Sequence, residues 1–110
     1  METKVSTHRG VNVLSISGEI DMYSSPQLRD ELMGLIHRKV PVLFVDFANV
    51  SYIDSSGIAT FVEGLKGIIS YGGTLKFIGI SKKIMEIFTF TKLGKVFKIY
   101  ESFDDALHSA

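Results

Sequence analysis

Residues 42–69 read VLFVDFANVSYIDSSGIATFVEGLKGII, and this stretch joins a strand pattern to a helix pattern. Residues 42–45 form a continuously apolar run, which is typical of a strand covered on both faces. Beyond Gly57 the apolar residues recur at three- and four-residue steps, which indicates the packed face of a helix. This stripe consists of Ile58, Phe61, Val62, Leu65, Ile68 and Ile69. Gly64 and Gly67 each cost the helix about 1 kcal/mol relative to alanine, so the stripe must pack firmly.

The same alternation of strands and helices extends in both directions. The Arg9-Gly10 pair predicts the turn of a hairpin whose second strand ends in a loop at residues 18–21. Ser24 predicts a helix start, since a serine hydroxyl can accept hydrogen bonds from the first free amides. Further strands are predicted at residues 75–78 and 96–100. The order β-β-α-β-α-β-α-β-α indicates an α/β fold with a largely parallel sheet, in one domain over residues 1–110.

The composition argues against several classes of function. The 12 basic and 12 acidic side chains balance, so no basic surface for nucleic acid is indicated. A local excess of lysines between Lys76 and Lys98 is interpreted as a solvated surface. The longest apolar run, residues 40–45, is far shorter than the ~20 residues of a membrane-spanning helix. Charged residues follow Met1 directly in place of a leader. We therefore expect a cytoplasmic protein that binds neither nucleic acid nor membrane.

No catalytic, metal or cofactor motif is evident. The chain has no cysteine, and its three histidines lie far apart, with no carboxylate at metal-binding spacing. Neither a phosphate-binding loop nor a dinucleotide-binding motif occurs. Ser55 lies on a predicted strand-to-helix turn, as in hydrolases. However, Ile53 stands where their nucleophile elbow requires a glycine. We predict no catalytic residue, no metal and no cofactor.

The long helix begins with more polar residues than a helix cap requires. One residue suffices to accept hydrogen bonds from the first amides, yet Asp54, Ser55 and Ser56 precede Gly57. A helix N-terminus also stabilises negative charge through its free amides and its dipole. A serine at this position could therefore carry a phosphate without straining the fold.

Residues 45–58, VDFANVSYIDSSGI, resemble the signature of the STAS domain (sulphate transporter and anti-sigma factor antagonist). Three further segments resemble this family in the same order along the chain: residues 18–21 (GEID), 91–97 (TKLGKVF) and 104–107 (DDAL). The resemblance implies a mixed, mostly parallel sheet with its helices mainly on one face. The chain carries no transporter or sensor segment, which favours the stand-alone antagonists of the family.

The resemblance also implies a partner-switching role. The unphosphorylated protein would bind an anti-sigma factor that is itself a serine kinase, and this binding would release a sigma factor. The kinase would then phosphorylate the serine that directly follows the aspartate, here Ser55, and a PP2C-type phosphatase would reverse the modification. The protein would be a ligand and a substrate and not an enzyme. Ser56 is expected to cap the helix or to pack.

The partner-binding surface is expected where the strands end and the helices begin, because the loops converge at that edge of a parallel sheet. Methionine and tyrosine are common in protein interfaces; the alternative for Tyr23 is that it covers the first turn of its helix. The predicted residues are Gly18, Glu19, Asp21, Met22, Tyr23, Asp54, Ser56 and Gly57. The alternative within the family is a subunit of a stressosome or of a lipid-transport complex. An esterase or protease is the alternative from another class.

Overall fold

A computed structural model describes residues 1–109. Strands and helices follow one another in the predicted order. The elements are β1 (Glu2–His8), β2 (Val11–Ile20), α1 (Ser25–His37), β3 (Val42–Ile53), α2 (Ser55–Ile69), β4 (Thr74–Ile78), α3 (Lys82–Phe90), β5 (Lys98–Tyr100) and α4 (Phe103–Leu107). No helix in this part of the chain is both long enough and apolar enough to cross a membrane.

The five strands form one mixed sheet in the order β1-β2-β3-β4-β5. β1 and β2 pair antiparallel through a hairpin whose turn residues, Arg9 and Gly10, both have positive φ angles. Such a turn matches the right-handed twist of the strands that flank it. β2, β3, β4 and β5 are all parallel, as expected for strands joined by helical crossovers. The predicted mixed, mostly parallel sheet is confirmed.

Alternate side chains of the central strand β3 pack on opposite faces of the sheet. Leu43, Val45 and Phe47 lie in the larger core, which the sheet forms with α1, α2 and α3. Phe44 lies in a smaller core on the other face, where it packs with Ala106 of α4. The helices therefore lie mainly on one face of the sheet, as the family resemblance implied, and α4 covers part of the other.

Three predicted boundaries differ from the structure. β3 extends beyond residues 42–45 to Ile53, because its second half pairs in parallel with β2. The same pairing keeps residues 18–20 inside β2, so the loop that was predicted at 18–21 begins only at Asp21. β5 begins at Lys98 instead of residue 96, since only residues 98–100 pair with β4. Strand pairing thus makes β2 and β3 longer, and β5 shorter, than the sequence predicted.

Three side chains depart from the roles that the sequence predicted. The hydroxyl of Ser24 does not cap α1; it donates to the carbonyl of Glu19 at 2.9 Å and accepts from the amide of Asp21. Ile69 ends the apolar stripe but is exposed. Lys76 is buried, because its Nζ donates to the Ala106 carbonyl at 2.8 Å and to the Ser109 hydroxyl at 2.6 Å. Its ammonium thus satisfies carbonyl and hydroxyl oxygens at the C-terminus of α4.

Close packing between α1 and α2 explains the glycines inside α2. A Cβ atom at Gly64 would overlap the buried side chain of Leu32, and one at Gly67 would lie 3.2 Å from Cγ2 of Ile36. At the surface of the same contact, the guanidinium of Arg29 donates to both carboxylate oxygens of Glu63. The two glycines therefore lower the helix propensity of α2, but they allow α1 and α2 to pack at a short distance.

Two glycine-to-alanine variants should separate these effects. Gly64→Ala should lower the free energy of unfolding by about 1–3 kcal/mol, because the new methyl group overpacks the core against Leu32. Gly34→Ala, in the exposed face of α1 with no atom near the added methyl group, should raise it by about 0.5 kcal/mol. Urea denaturation of both variants tests the difference. Equal shifts in the two midpoints would mean that the helices do not approach as closely as described.

Candidate partner-binding site at the carboxyl edge of the sheet

β2 and β3 end side by side, and this brings two loops together. Ile20 pairs with Ile53 at the last position of both strands, and the amide of Asp54 donates to the Ile20 carbonyl at 3.1 Å. The turn at residues 21–24 follows the first strand, and α2 follows the second directly. The two segments therefore meet at one edge of the sheet although more than thirty residues separate them in sequence.

The carboxylate of Asp54 lies where these two segments meet. Its Oδ1 accepts the amides of Ser56 at 2.9 Å and Gly57 at 3.3 Å, and the hydroxyl of Ser56 at 2.5 Å. The amide of Met22, in the turn after β2, is near enough to help lower the pKa of this carboxylate. The Ser56 hydroxyl is the largest cause of a lowered pKa for Asp54, the three amides add to it, and partial burial opposes it. Asp54 is therefore held in its charged form.

The two adjacent serines have different environments. Ser55 is exposed at the first position of α2. Ser56 is half-buried, and its hydroxyl lies 2.9 Å from that of Ser25, at the start of α1, in addition to its contact with Asp54. Ser56 thus contributes to the packing between the starts of two helices, whereas the Ser55 side chain faces solvent.

The start of α2 offers fewer free amides than the sequence suggested. The amides of Ser56 and Gly57, which were expected to stabilise an added anion, already donate to Asp54. The amide of Ile58 donates to the Asp54 carbonyl. An anion attached to Ser55 would therefore lie beside a carboxylate and depend mainly on solvent for its stabilisation.

The turn at residues 21–24 presents two large apolar side chains to solvent. Oδ1 of Asp21 accepts the amides of Tyr23 at 2.9 Å and Ser24 at 3.0 Å, which fixes the backbone of the turn. Met22 is 66% exposed and Tyr23 86% exposed. Because Tyr23 is so exposed, it does not cover the first turn of α1. Exposed aromatic and methionine side chains next to each other are typical of protein-binding surfaces.

The glycines among the predicted partner-binding residues lie below or beside this surface. Gly57 is buried, and a Cβ atom there would lie 2.6 Å from Cγ2 of Ile20 and 2.9 Å from Cγ1 of Ile53. Gly18 pairs with Val50, roughly 13 Å along β3 from Asp54, and has a φ angle of 95° beside Met1. Glu19 is exposed one residue before the strand ends. Gly57 thus permits the first turn of α2 to pack closely against the two strand ends.

Two residues near this edge were missed by the sequence analysis. Tyr52 is exposed and pairs with Glu19, so it extends the surface around Asp54 toward the open face of the sheet. The alternation of β3 would have revealed it, had that strand been predicted to continue to Ile53. Ser25 carries no signal of its own, because its contact with Ser56 depends on how the two helices are placed.

Comparison with known proteins identifies the family of this chain. Residues 2–106 match the model of the STAS domain. The chain belongs to the STAS domain family. This match confirms the resemblance of residues 45–58 to the STAS signature.

Several relatives of this chain are named as anti-sigma factor antagonists. An anti-sigma-B factor antagonist from Bacillus subtilis is 36% identical over 86 residues, which cover 78% of this chain and 78% of that protein. An anti-sigma-B factor antagonist from Staphylococcus epidermidis is 32% identical over 95 residues, which cover 86% and 88%. The crystal structure of an anti-sigma factor antagonist from Mycobacterium paratuberculosis superimposes with a TM-score of 0.87 at 29% identity, covering 96% of this chain and 90% of that one.

The described residues of this STAS domain contain no group of three or more histidine, cysteine, aspartate or glutamate side chains placed to hold a metal ion. The chemical features of the carboxyl edge are therefore an exposed hydroxyl at Ser55, a charged Asp54 that is already hydrogen-bonded, and the exposed pair Met22 and Tyr23. This arrangement suits recognition by another protein and modification of Ser55.

The lowered pKa of Asp54 gives a pH-dependent stability that Asp54→Asn should remove. A carboxylate whose pKa is lower in the folded state stabilises the fold above its unfolded pKa of about 3.9, and this contribution is lost as the pH falls through the folded value. Asparagine still caps a helix but carries no charge, so we expect a loss of about 1 kcal/mol at pH 7. Urea denaturation of both proteins at pH 7 and pH 3 measures the difference, which should shrink at pH 3. A difference that stays constant with pH would contradict this role of the charge.

Proposed function

We propose that this STAS domain is an anti-sigma factor antagonist that acts in the cytoplasm. In its unphosphorylated form it binds an anti-sigma factor that is a serine kinase, and this binding releases a sigma factor. Phosphorylation of Ser55 by the kinase ends the complex, and a PP2C-type phosphatase restores the free hydroxyl. The names of the relatives support the first part of this proposal. The geometry around Ser55 supports the second.

The single observation that carries the proposal is the difference between Ser55 and Ser56. A kinase must reach the hydroxyl that it modifies, and the Ser55 side chain is exposed at the start of α2. The Ser56 hydroxyl is shared between Asp54 and Ser25. Phosphorylating Ser56 would require breaking these hydrogen bonds and separating the two helix starts.

In this proposal the chain is the substrate, and the partner supplies the catalysis. The Ser55 hydroxyl oxygen attacks the γ-phosphorus of ATP held by the kinase, ADP leaves, and the hydroxyl proton passes to the kinase. The chain positions the nucleophile, because Asp54 fixes the backbone of the first turn of α2 through two amides. Binding and phosphorylation then share one surface, which we call the docking edge: Glu19, Asp21, Met22, Tyr23, Asp54 and Ser55.

Within the protein itself, the phosphate should have a small effect on stability. A phosphoserine adds close to two negative charges. Its repulsion with Asp54 is limited near solvent, to about 1 kcal/mol per pair of unit charges at 4 Å, and Ser55 is exposed. Within a complex the same group would be desolvated against a surface that fits a hydroxyl. An unpaired buried charge costs several kcal/mol, or more than a hundredfold in affinity. The switch therefore works by blocking the partner and not by changing the fold.

Incubation with an anti-sigma factor kinase and ATP should add one phosphate to the wild-type chain and none to Ser55→Ala. Ser56→Ala is the matched control: it should still be phosphorylated, while its free energy of unfolding falls by about 1 kcal/mol because Asp54 and Ser25 lose a partner. Mass spectrometry counts the phosphates. A phosphate that persists in Ser55→Ala and disappears in Ser56→Ala would overturn the assignment.

Tyr23→Ala should weaken kinase binding at least tenfold without changing the melting temperature, because an exposed aromatic at the centre of an interface contributes strongly to affinity. Phe90→Ala is the control, since Phe90 is 89% exposed but lies at the C-terminal end of α3, away from the docking edge. It should bind within twofold of wild type. Titration calorimetry compares the two variants. Asp21→Ala is a less specific probe, because it removes the acceptor of two amides in the turn.

Ser55→Asp should abolish binding while the fold persists. The new carboxylate is exposed and repels Asp54 only weakly, so we expect a change in the free energy of unfolding below about 1 kcal/mol. Ser55→Ala should bind the kinase constitutively. Circular dichroism melts and binding titrations of the two variants check this pair of expectations. A strongly destabilised Ser55→Asp would instead support a conformational switch.

A further inference from the structure

The first strand leaves a long unpaired edge. β1 is seven residues long and pairs with β2 alone, in an uninterrupted antiparallel register from Glu2 to His8. It contains neither a proline nor a bulge, two of the features that prevent edge strands from pairing with other chains; of the charged side chains that also do so, it carries Glu2 and Lys4. The opposite edge strand, β5, is only three residues long. The two edges of this sheet therefore differ in their capacity to accept another strand.

We propose that the β1 edge binds a second copy of this chain, through antiparallel pairing of β1 with β1 about a two-fold axis. A two-fold axis must pass through a residue that pairs with its own copy, because antiparallel pairs alternate between two hydrogen-bonding types. The register centred on Val5 pairs all seven residues of the strand. This dimer would extend the sheet from five strands to ten.

Charge and the number of paired residues favour the register that is centred on Val5. It places Glu2 opposite His8, Thr3 opposite Thr7, and Lys4 opposite Ser6. Shifting the centre to Lys4 puts two lysines opposite each other, and shifting it to Ser6 leaves Glu2 and Thr3 unpaired. Either shift also reduces the paired residues to five. Like charges that face each other across a strand pair are destabilising, so these alternatives are weaker.

The contacts at the centre of the axis are apolar. Val5 pairs with Leu14 and lies on the face that carries α1, where its side chain is 41% exposed. In the proposed register the two Val5 side chains lie directly opposite each other, about 4.5–5.5 Å apart. Together with Thr3 and Thr7 they form one side of the new strand pair.

The positions of the charged residues on α1 are compatible with the same two-fold axis. The hydroxyl of Thr3 donates to Glu31 of α1 at 3.1 Å. Two residues of strand rise about 6.6 Å, or about four residues of helix, so Val5 lies near the level of Leu35, which lines the same groove. Rotation about Val5 then brings the acidic pair Asp30 and Glu31 of one copy to about the level of the basic residues at the end of α1, Arg38 and Lys39, of the other. No like charges meet at these positions.

The dimer should be weak, and it leaves the docking edge free. Stable interfaces bury about 1,200–2,000 Å², and two paired seven-residue strands bury less, so the dimer should form only at high protein concentration. Because β1 runs antiparallel to its copy, the two Ser55 side chains lie at opposite ends of the extended sheet. Self-association is therefore independent of the proposed kinase and can be tested without it.

Disulfide trapping tests the register, since the chain contains no cysteine. Val5→Cys should form a covalent dimer at least tenfold faster than the exposed control Ile69→Cys, because directly paired Cα atoms lie within disulfide range. Thr3→Cys alone should not cross-link above the control rate, since its copy lies about 13 Å away. A mixture of Thr3→Cys and Thr7→Cys should form the mixed dimer. Preferred self-cross-linking at Lys4→Cys or Ser6→Cys would overturn this register.

Sedimentation velocity tests the association itself. The wild-type sedimentation coefficient should rise with concentration, and His8→Glu should reduce the association constant several-fold, because it places a second carboxylate opposite Glu2. The double variant Glu2→Lys with His8→Glu should restore it, because the two residues are then oppositely charged. His8 also contacts the ring of Phe103 at 4.6 Å between centroids, so circular dichroism must first show that the double variant is folded. A wild-type chain that stays monomeric at every concentration, with Val5→Cys cross-linking no faster than Ile69→Cys, refutes the dimer.

Discussion

The carboxylate of Asp54 is the interaction on which the rest of the carboxyl edge depends. It accepts two amides and a hydroxyl at the start of α2, and the nearby amide of Met22, in the turn after β2, also lowers its pKa. The parallel pairing of Ile20 with Ile53 places this turn beside Asp54. Gly57 allows α2 to start against these strand ends, because a Cβ atom there would overlap the side chains of both isoleucines. One charged group thus lies where two segments that are distant in sequence meet, and the adjacent serines have different environments there.

The separation of these roles has a functional consequence. The docking edge stands on a rigid base: strand ends in register, a capped helix, and a turn held by the carboxylate of Asp21. On that base the Ser55 hydroxyl and the Tyr23 ring remain exposed. In the function proposed above, this surface would lose its partner through one local charge while its own fold persists, because the charge would be solvated in the free protein and buried only in the complex.

The net charge of the chain is zero, but its charged groups lie in very different environments. Lys76 is buried against the end of α4, where carbonyl and hydroxyl oxygens satisfy its ammonium. Arg29 and Glu63 pair at the exposed margin of the contact between α1 and α2. On β1, Glu2 and Lys4 are exposed along an edge that pairs with no further strand among the described residues. Charged groups therefore stabilise α4, pair at the margin of the helix contact and lie on an open sheet edge in the same small fold.

The order of elements and the start of α2 followed from the sequence, because apolar periodicity and helix-capping residues are local signals. The mixed sheet and the family followed from the resemblance to the STAS signature. Only the tertiary structure decided where β3 ends and why Gly57 and Gly64 are glycines. It also showed that Ser56 contacts Ser25 and that Lys76 is buried. Each of these depends on a neighbour some thirty or more residues away in the chain. The pattern of one segment records whether a side chain is buried, but strand register and helix packing decide what it is buried against.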